Sequence, residues 1–215
     1  MESAKDRKVK EAKEFFSRIR VRNSLFIGIS GSVSYEPREE DDIDIFLIAR
    51  NKRLWSSILE ILVFRRIYRF SDLCLSLCMD DSFAITFFAN LEDGLAARDS
   101  KQVIPISGEE YFKNLLKTSP VITSNPNQGD GYGSKKSNKS NPFMDIVEWI
   151  PFLFVSSWIN VKAIYNGHKD RKSGLGGFKT MFSMHSFYFD TDKYHQLNEK
   201  YIKGEILNEE NRSDI

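Results

Sequence analysis

Two apolar runs separated by a short polar stretch restrict the fold more than any other feature of this sequence. The first run is SLFIGIS at 24–30, and Gly31 closes it. The second is IDIFLIA at 43–49, and it is rich in β-branched residues. Short apolar runs of this composition, bounded by glycine and charged residues, are typical of buried β-strands. The sequence therefore predicts a strand at each run.

The elements predicted around these runs indicate an α/β (α+β) domain. Apolar residues at three- and four-residue spacing between Val9 and Ile19 predict a helix that ends near Arg20. Leu73 to Met79 alternates large apolar residues with Cys and Ser, as a strand does. The other predicted elements are helices over 54–67, 91–98 and 109–116 and an extended piece over 103–106. We expect a small mixed β-sheet flanked by helices.

The C-terminal part of the chain reads as a linker and a second lobe. Residues 119–141 are rich in Gly, Pro, Ser, Asn and Lys, which predicts a flexible linker or loop. Residues 142–204 predict a mostly helical C-terminal domain, with a buried helix between Trp149 and Tyr165. That stretch is too short and too interrupted by polar residues to predict a membrane span. The polar tail over 205–215 is expected to fray.

Charge and composition narrow the classes of partner and compartment. The formal net charge is +1, so no overall basic field favours nonspecific nucleic-acid binding. The N-terminus is charged and amphipathic and lacks the apolar core of a secretory signal, so we expect a cytoplasmic protein that does not engage membranes. Cys74 and Cys78 match neither a zinc motif nor a disulfide framework and are expected to be reduced packing residues. His185, in an aromatic stretch, is expected to pack rather than to bind metal.

Asp42 and Asp44 are the strongest candidates for metal ligands. Residues two apart on a strand share a face, so both carboxylates can point the same way while Ile43 and Ile45 pack into the core. Mg²⁺ accepts oxygen ligands in a near-octahedral shell, and two such acids on a rigid element make an efficient half-site for it. The alternative is that EPREEDD is a solvated acidic loop running into a strand, but this leaves the aspartate between two isoleucines unexplained.

Gly31 and Ser32 follow the first predicted strand and suit the binding of an anion. A glycine has no Cβ, so it allows a phosphate to approach the backbone closely. Ser32 offers a hydroxyl and an amide to the same anion, and a helix beginning after it would add its positive N-terminal end. For this pair alone a simple turn after the strand would be the favoured explanation, and only the downstream aspartates favour anion binding over it.

The segment FIGISGSVSYEPREEDDIDIFLIA resembles the polymerase beta nucleotidyltransferase superfamily and is similar to its stand-alone archaeal and bacterial members. The shared pattern is an apolar strand, Gly-Ser, nine intervening residues and then Asp-apolar-Asp-apolar. The resemblance implies the nucleotidyltransferase fold over 1–118. It also implies that Gly31 and Ser32 bind a nucleoside triphosphate and that Asp42 and Asp44 bind Mg²⁺ or Mn²⁺.

The resemblance also implies a third carboxylate on the following strand, where this sequence departs from the pattern. Ser76 stands at the expected position in the middle of that strand. Asp72 lies at the start of the strand on the same face, and Asp80 lies near its end. Such a carboxylate commonly activates the attacking hydroxyl or shares a metal. We expect Asp72 to act as this third acid, because it shares a face with Ser76.

The expected function is that of a Mg²⁺-dependent nucleotidyltransferase, with Asp42, Asp44 and Asp72 as catalytic acids. It would move a nucleoside monophosphate from a nucleoside triphosphate, such as ATP, to an acceptor that is a small molecule, a protein or an RNA. Two alternatives stay open. One is a catalytically impaired protein that binds nucleotide through the same residues. The other is an antitoxin-like interaction protein whose apolar C-terminal helix forms an oligomer interface, including a homo-oligomer.

Overall fold

The structure is a computed structural model, and it describes residues 3–35, 38–39, 41–91, 95–119, 148–159, 161 and 178–191. The helices are α1 (Ala4–Ile19), α2 (Ser32–Tyr35), α3 (Leu54–Ile67), α4 (Asp81–Ala89), α5 (Leu95–Gln102), α6 (Glu109–Leu116) and α7 (148–159). The strands are β1 (Ser24–Ser30), β2 (Ile43–Ala49), β3 (Leu73–Asp80), β4 (Ile104–Ser107), β5 (Phe178–Phe182) and β6 (Ser186–Thr191).

The described strands form one mixed sheet in the order β4-β1-β2-β3-β6-β5. The β2–β3 pair is parallel and every other neighbouring pair is antiparallel. A parallel pair needs a crossover connection, and α3 provides it. The predicted α/β class, with a mixed sheet flanked by helices, is therefore confirmed.

Each face of the sheet carries its own apolar core. On one face, Ile29, Ile45 and Leu75 are buried in a cluster that includes apolar residues of α1 and α3. On the other face, Phe46 and Met79 are buried with apolar residues of α4 and α6. The sheet is thus a buried central layer, which explains why its strands read as nearly continuous apolar runs.

The β2–β3 pairing contains a bulge that sets which residues share a face. Leu75 lies opposite Ile45, whereas Leu77 lies opposite Phe46, so Ser76 is an extra residue on β3. A bulge re-aims the side chains around it and often lies beside a functional site. Here it places the hydroxyl of Ser76 beside the hydroxyl of Ser30, at the end of β1.

Most of the predicted elements are confirmed, and two errors lie between β3 and β4. The helix to Arg20, the strands 24–30 and 43–49, the helices 54–67 and 109–116 and the strand from Leu73 are all present. The sequence did not predict α4, and it placed a helix at 91–98 where α5 spans Leu95–Gln102. The side chain of Asp80 accepts a hydrogen bond from the Phe83 amide and begins α4.

The C-terminal expectations need two corrections. Residues 178–191 are not helical, because β6 pairs with β3 and continues the same sheet. The helix expected to be buried is α7, and its outer side is exposed at Trp149, Leu153 and Trp158, which are 47%, 55% and 64% accessible. The predicted linker 119–141, apart from Ser119, and the predicted tail 205–215 lie outside the described residues.

α7 is attached to the sheet domain through its first residue. Glu148 is only 2% exposed, and its Oε1 accepts hydrogen bonds from the amides of Trp55 and Ser56, the latter at 3.1 Å. These amides lie in the first turn of α3, where no side chain from the helix's own N-cap residue bonds them.

Across the described part of the chain, no helix is long and apolar enough to cross a membrane.

Candidate functional site

The predicted site residues meet at one edge of the sheet. β1 is antiparallel to β2, and β2 is parallel to β3, so the end of β1 lies beside the starts of β2 and β3. Ser30 is paired with Asp44, and Asp44 is paired with Cys74. Paired residues project from the same face of a sheet, so these three side chains share the face of the second core. We call this place, from Ser30 to Ser32 with Asp44 and Cys74, the corner.

Gly31 and Asp44 approach each other so closely that only glycine fits. Gly31 has φ of +67°, a conformation that L-residues with side chains rarely adopt. A Cβ built on Gly31 would lie 2.2 Å from Oδ2 of Asp44 and 3.0 Å from its Cγ. The backbone of the Gly-Ser pair and the second aspartate of Asp-Ile-Asp are therefore in direct contact, as their predicted joint role requires.

Asp44 is the electrostatic centre of the corner. Partial burial, followed by the nearby charges of Asp42, Asp41 and Asp99, raises the pKa of its carboxyl to about 6. The Cys74 thiol opposes this shift because it hydrogen-bonds to the carboxylate. A carboxyl held among other acids is stabilised in its charged form when a cation enters, so this environment suits a metal ligand.

Asp42 lies directly before β2, and its side chain is exposed. Its position one residue outside the strand leaves the carboxylate open to solvent while its charge still acts on Asp44. Ile43 and Ile45, between and beyond the two acids, are completely buried, as the sequence predicted. The two aspartates therefore differ, because Asp44 is partly buried in the corner and Asp42 is exposed at the outer edge of the corner, which we call its rim.

The hydroxyl of Ser32 is engaged with the acidic loop. It donates a hydrogen bond to the carboxylate of Asp41, which also accepts the Arg38 amide at 2.8 Å. These bonds, together with the charge of Lys8, hold the pKa of Asp41 below its ordinary value. A phosphate that used the Ser32 hydroxyl would have to displace Asp41, whereas the amide of Ser32 is not subject to that competition.

Asp72 lies at the same edge of the sheet but outside the corner. Its backbone carbonyl accepts a hydrogen bond from the Ile43 amide at 2.6 Å, which sets the start of β3 beside the start of β2. Its carboxylate is exposed and accepts a hydrogen bond from the Ser71 hydroxyl at 2.6 Å. Asp72 is therefore available at the rim and is not part of the buried cluster around Asp44.

Ser76 occupies the bulge, and its hydroxyl is fully used within the sheet. It lies 3.2 Å from the hydroxyl of Ser30 and donates to the carbonyl of Ile45 at 3.2 Å. The position where a third carboxylate was expected is thus filled by a neutral group that bridges β1, β2 and β3. A carboxylate there would face the carbonyl of Ile45 without a proton to donate to it.

Asp80, considered as another third acid, lies at the wrong end of the sheet. It is paired with Ala49, while Cys74 is paired with Asp44, so it lies about 17 Å farther along the strands. Its buried carboxylate begins α4 and accepts a hydrogen bond at 2.6 Å from Nδ1 of His185, whose side chain is 53% exposed. His185 is thus a partner of Asp80 rather than a packing residue.

Asp99 is an acid of the corner that the sequence did not reveal. It lies on α5, and α5 leads into β4, which pairs with β1 at Ile29. Just after α5, Val103 covers Gly28 so closely that a Cβ on Gly28 would lie 2.5 Å from its Cγ1. Because Gly28 and Ser30 share a face, α5 brings Asp99 to the side of the sheet that carries Asp44. The charge of Asp99 contributes to the raised pKa of Asp44, and no periodicity or motif around Asp99 indicates this proximity.

The acids of the corner fit a divalent cation only in part. Within the described residues, no group of three or more Asp, Glu, His or Cys side chains is arranged so that it could hold a metal ion. Asp44 and Asp42 could supply two hard oxygen ligands at the corner, where burial and then the neighbouring acids raise the pKa of Asp44. This donor set suits Mg²⁺ or Mn²⁺ that takes its remaining ligands from phosphate oxygens and water.

The two cysteines are both free, as predicted. Cys78 is buried in the first core, where burial raises the pKa of its thiol far above the usual range.

Comparison with protein-family models, with curated proteins and with solved structures finds no match to this chain.

Proposed function

We propose that this chain is a Mg²⁺-dependent nucleotidyltransferase with the nucleotidyltransferase fold. It transfers a nucleoside monophosphate from a nucleoside triphosphate to an acceptor. The observation that carries the proposal is the contact of Gly31 with Asp44, because a Gly-Ser turn meeting a paired aspartate brings an anion-binding backbone beside metal-binding carboxylates. The resemblance of the segment from Phe26 to Ala49 supports the same assignment.

In the proposed reaction, the chain's own residues bind and orient the triphosphate. The backbone at Gly31 admits the phosphates, and the amide of Ser32 donates to them. Asp42 and Asp44 would hold the cation, which would neutralise the charge that develops on the phosphate oxygens. Asp44 would have to be charged to bind it, and the bound cation would lower the raised pKa of that residue.

The proposed transfer is a single displacement at phosphorus. An oxygen of the acceptor hydroxyl forms a bond to the α-phosphorus, the bond to the bridging oxygen of the β-phosphate breaks, and pyrophosphate leaves. Asp72, exposed at the rim, is the acid that we assign to receive the proton of the hydroxyl. We expect the reaction to occur in the cytoplasm.

A second candidate function is nucleotide binding without turnover. It is favoured by Ser76, whose hydroxyl fills the position of the expected third acid and is bonded to Ser30 and to the carbonyl of Ile45. In this case the corner would bind a nucleotide and a cation, and Asp72 would have no role in chemistry. An interaction protein is the third candidate, and the exposed side of α7 supports it.

Transfer from radiolabelled nucleoside triphosphates distinguishes these candidates. The purified chain is incubated with each triphosphate, Mg²⁺ or Mn²⁺, and small-molecule, protein and RNA acceptors. We expect Asp44→Asn to lower transfer by about 100-fold or more. Glu110→Gln, which changes an exposed acid on α6, is the matched control and is expected to stay within about twofold.

The same assay contains the outcomes that contradict the proposal. Metal-dependent nucleotide binding without transfer to any acceptor would favour the binding function. An absence of both binding and transfer, together with a stable complex in a pulldown, would favour the interaction protein. Equal activity of Asp44→Asn and the unaltered chain would remove the corner from the reaction.

A further inference from the structure

We infer that Lys8 is a positioning residue of the corner, because its buried ammonium group holds the backbone that delivers Asp41 and Asp42 to Gly31 and Asp44. This inference rests on the proposed function, and it assigns to α1 a part in metal and nucleotide binding. No motif in the sequence distinguishes Lys8 from the other lysines of α1.

Lys8 is buried in a way that is rare for lysine. It is 3% exposed, although lysine is almost never fully buried unless it is paired. Its Nζ donates to the carbonyl of Glu39 at 2.9 Å and also to the carbonyl of Asp41. Removing an ammonium group from water is costly, so these bonds must replace the lost hydration. The side chain is therefore held by these two carbonyls.

The two carbonyls belong to the stretch of chain that immediately precedes the metal-binding acids. Asp41 is the residue before Asp42, and its carboxylate is in turn bonded by the Ser32 hydroxyl and the Arg38 amide. Lys8 thus holds the backbone at Glu39 and at Asp41, while the Arg38 amide and the Ser32 hydroxyl hold the side chain of Asp41. Both sets of bonds limit where the carboxylate of Asp42 can lie relative to Asp44.

The charge of Lys8 has the sign that this place needs. Asp41, Asp42 and Asp44 carry like charges close together, and Lys8 is a cation on the core side of the same stretch. Its charge favours the charged form of Asp41, next to Asp42, before any metal binds. Replacement by a neutral residue removes both the carbonyl bonds and this compensation.

The neighbouring cations of α1 provide a matched control. Lys5 lies almost one turn earlier, and its Nζ donates to the carbonyl of Ser34 at 2.7 Å, on α2 rather than on the acidic stretch. Lys5→Met therefore deletes a charge and a hydrogen bond to a carbonyl from the same helix without releasing the backbone before Asp42. Comparison with Lys8→Met separates positioning from general effects on α1.

The test measures binding and stability for four forms of the full chain. Calorimetry with Mn²⁺ and a nonhydrolysable ATP analogue gives nucleotide affinity, and thermal unfolding reports the fold. We expect Lys8→Met to weaken metal-dependent binding by about tenfold or more, because charged hydrogen bonds set the position of Asp42. Lys8→Arg, which keeps a cation and its donors, is expected to restore most of the affinity, and Lys5→Met to stay within about threefold.

Each other result has a defined meaning. If the unaltered chain does not bind the analogue with Mn²⁺, the proposed function fails and the inference falls with it. If the unaltered chain binds and Lys8→Met binds equally well, only the inference fails. Lys8→Gln replaces Lys8→Met if the latter does not fold. Unfolding of both neutral variants, or equal losses in Lys5→Met and Lys8→Met, would assign Lys8 a structural role alone.

Discussion

At the scale of single residues, the corner depends on a glycine whose role is both conformational and steric. Gly31 combines a φ of +67° with an approach to Asp44 that excludes any Cβ. Gly108 has a similar φ of +73°, but there a Cβ would meet the backbone of Leu25 at 1.9 Å, far from the acids. The two glycines therefore impose similar backbone demands and differ in what a methyl group would displace.

Gly31→Ala should displace the carboxylate of Asp44, because the new methyl group would occupy the position of its Oδ2. Because alanine is strained in the left-handed conformation, we expect the unfolding free energy to fall by about 1–3 kcal/mol. We also expect the pKa of Asp44 to change, and carbon-detected NMR of its carboxyl measures that change. Gly108→Ala is expected to lose comparable or greater stability while the titration of Asp44 stays unchanged. Identical Asp44 titrations in Gly31→Ala and the unaltered chain would contradict the observed contact.

Residue patterns in the sequence predicted the part of the corner that depends on local geometry. The glycine that closes β1 and the position of Asp44 on β2 anticipated their meeting, because it follows from the pairing and direction of the two strands, whereas Asp42 lies just before β2 and not on it. The influence of Asp99 could not be predicted, since its charge is brought near Asp44 only by the packing of α5 on β1. The Ser32–Asp41 bond was missed for the same reason, because it depends on how the loop before β2 folds back.

At the scale of elements, prediction succeeded where one periodicity dominated. α1 and α6 are amphipathic, and β1, β2 and β3 are apolar runs bounded by polar residues, so each was located. α4 (DSFAITFFA) is apolar nearly all round and rich in residues that also suit strands, which hides the helical period. β6 was missed because its partner is the edge of β3, far earlier in the sequence, and β5 was missed with it because β5 pairs with β6.

The attachment of α7 gives a prediction at this scale. Glu148 supplies the acceptor that the first turn of α3 lacks, so Glu148→Ala should cost about 1–2 kcal/mol of unfolding free energy. Urea denaturation measures this cost. Ile150→Ala, on the exposed side of the same helix, is the control and is expected to change stability by less than about 0.5 kcal/mol. A loss of unfolding free energy in Glu148→Ala that is no larger than the loss in Ile150→Ala would contradict a stabilising contact between Glu148 and α3.

At the scale of the whole molecule, the acids of the corner make stability depend on pH in an unusual direction. The pKa of Asp44 is about 6 in the folded chain and near 4 when unfolded, so the folded state binds more protons between these values. Unfolding free energy therefore falls as the pH rises from about 4 to about 6, and it stays lower above that range. Glu148 acts in the same direction, because burial raises its pKa.

Asp44→Asn should remove most of this dependence and stabilise the chain at pH 7.5, but not at pH 4. We expect a gain of about 1–2 kcal/mol, reduced from the full shift because Asp44 is only partly buried. Urea denaturation at the two pH values gives the comparison, and Glu110→Gln, which changes an exposed acid of α6, is the control. A gain of equal size at both pH values would show that the effect is not due to the charge of Asp44.

A divalent cation should cancel the same penalty. If Asp42 and Asp44 hold Mn²⁺, the cation stabilises the folded chain at pH 7.5, and the gain grows with the logarithm of its concentration above the dissociation constant. Because binding requires a charged Asp44, the gain should vanish toward pH 4 and be absent in Asp44→Asn. The destabilising acid of the free chain would then be the group that the bound cation needs, so the stability lost at neutral pH is recovered when the corner is filled.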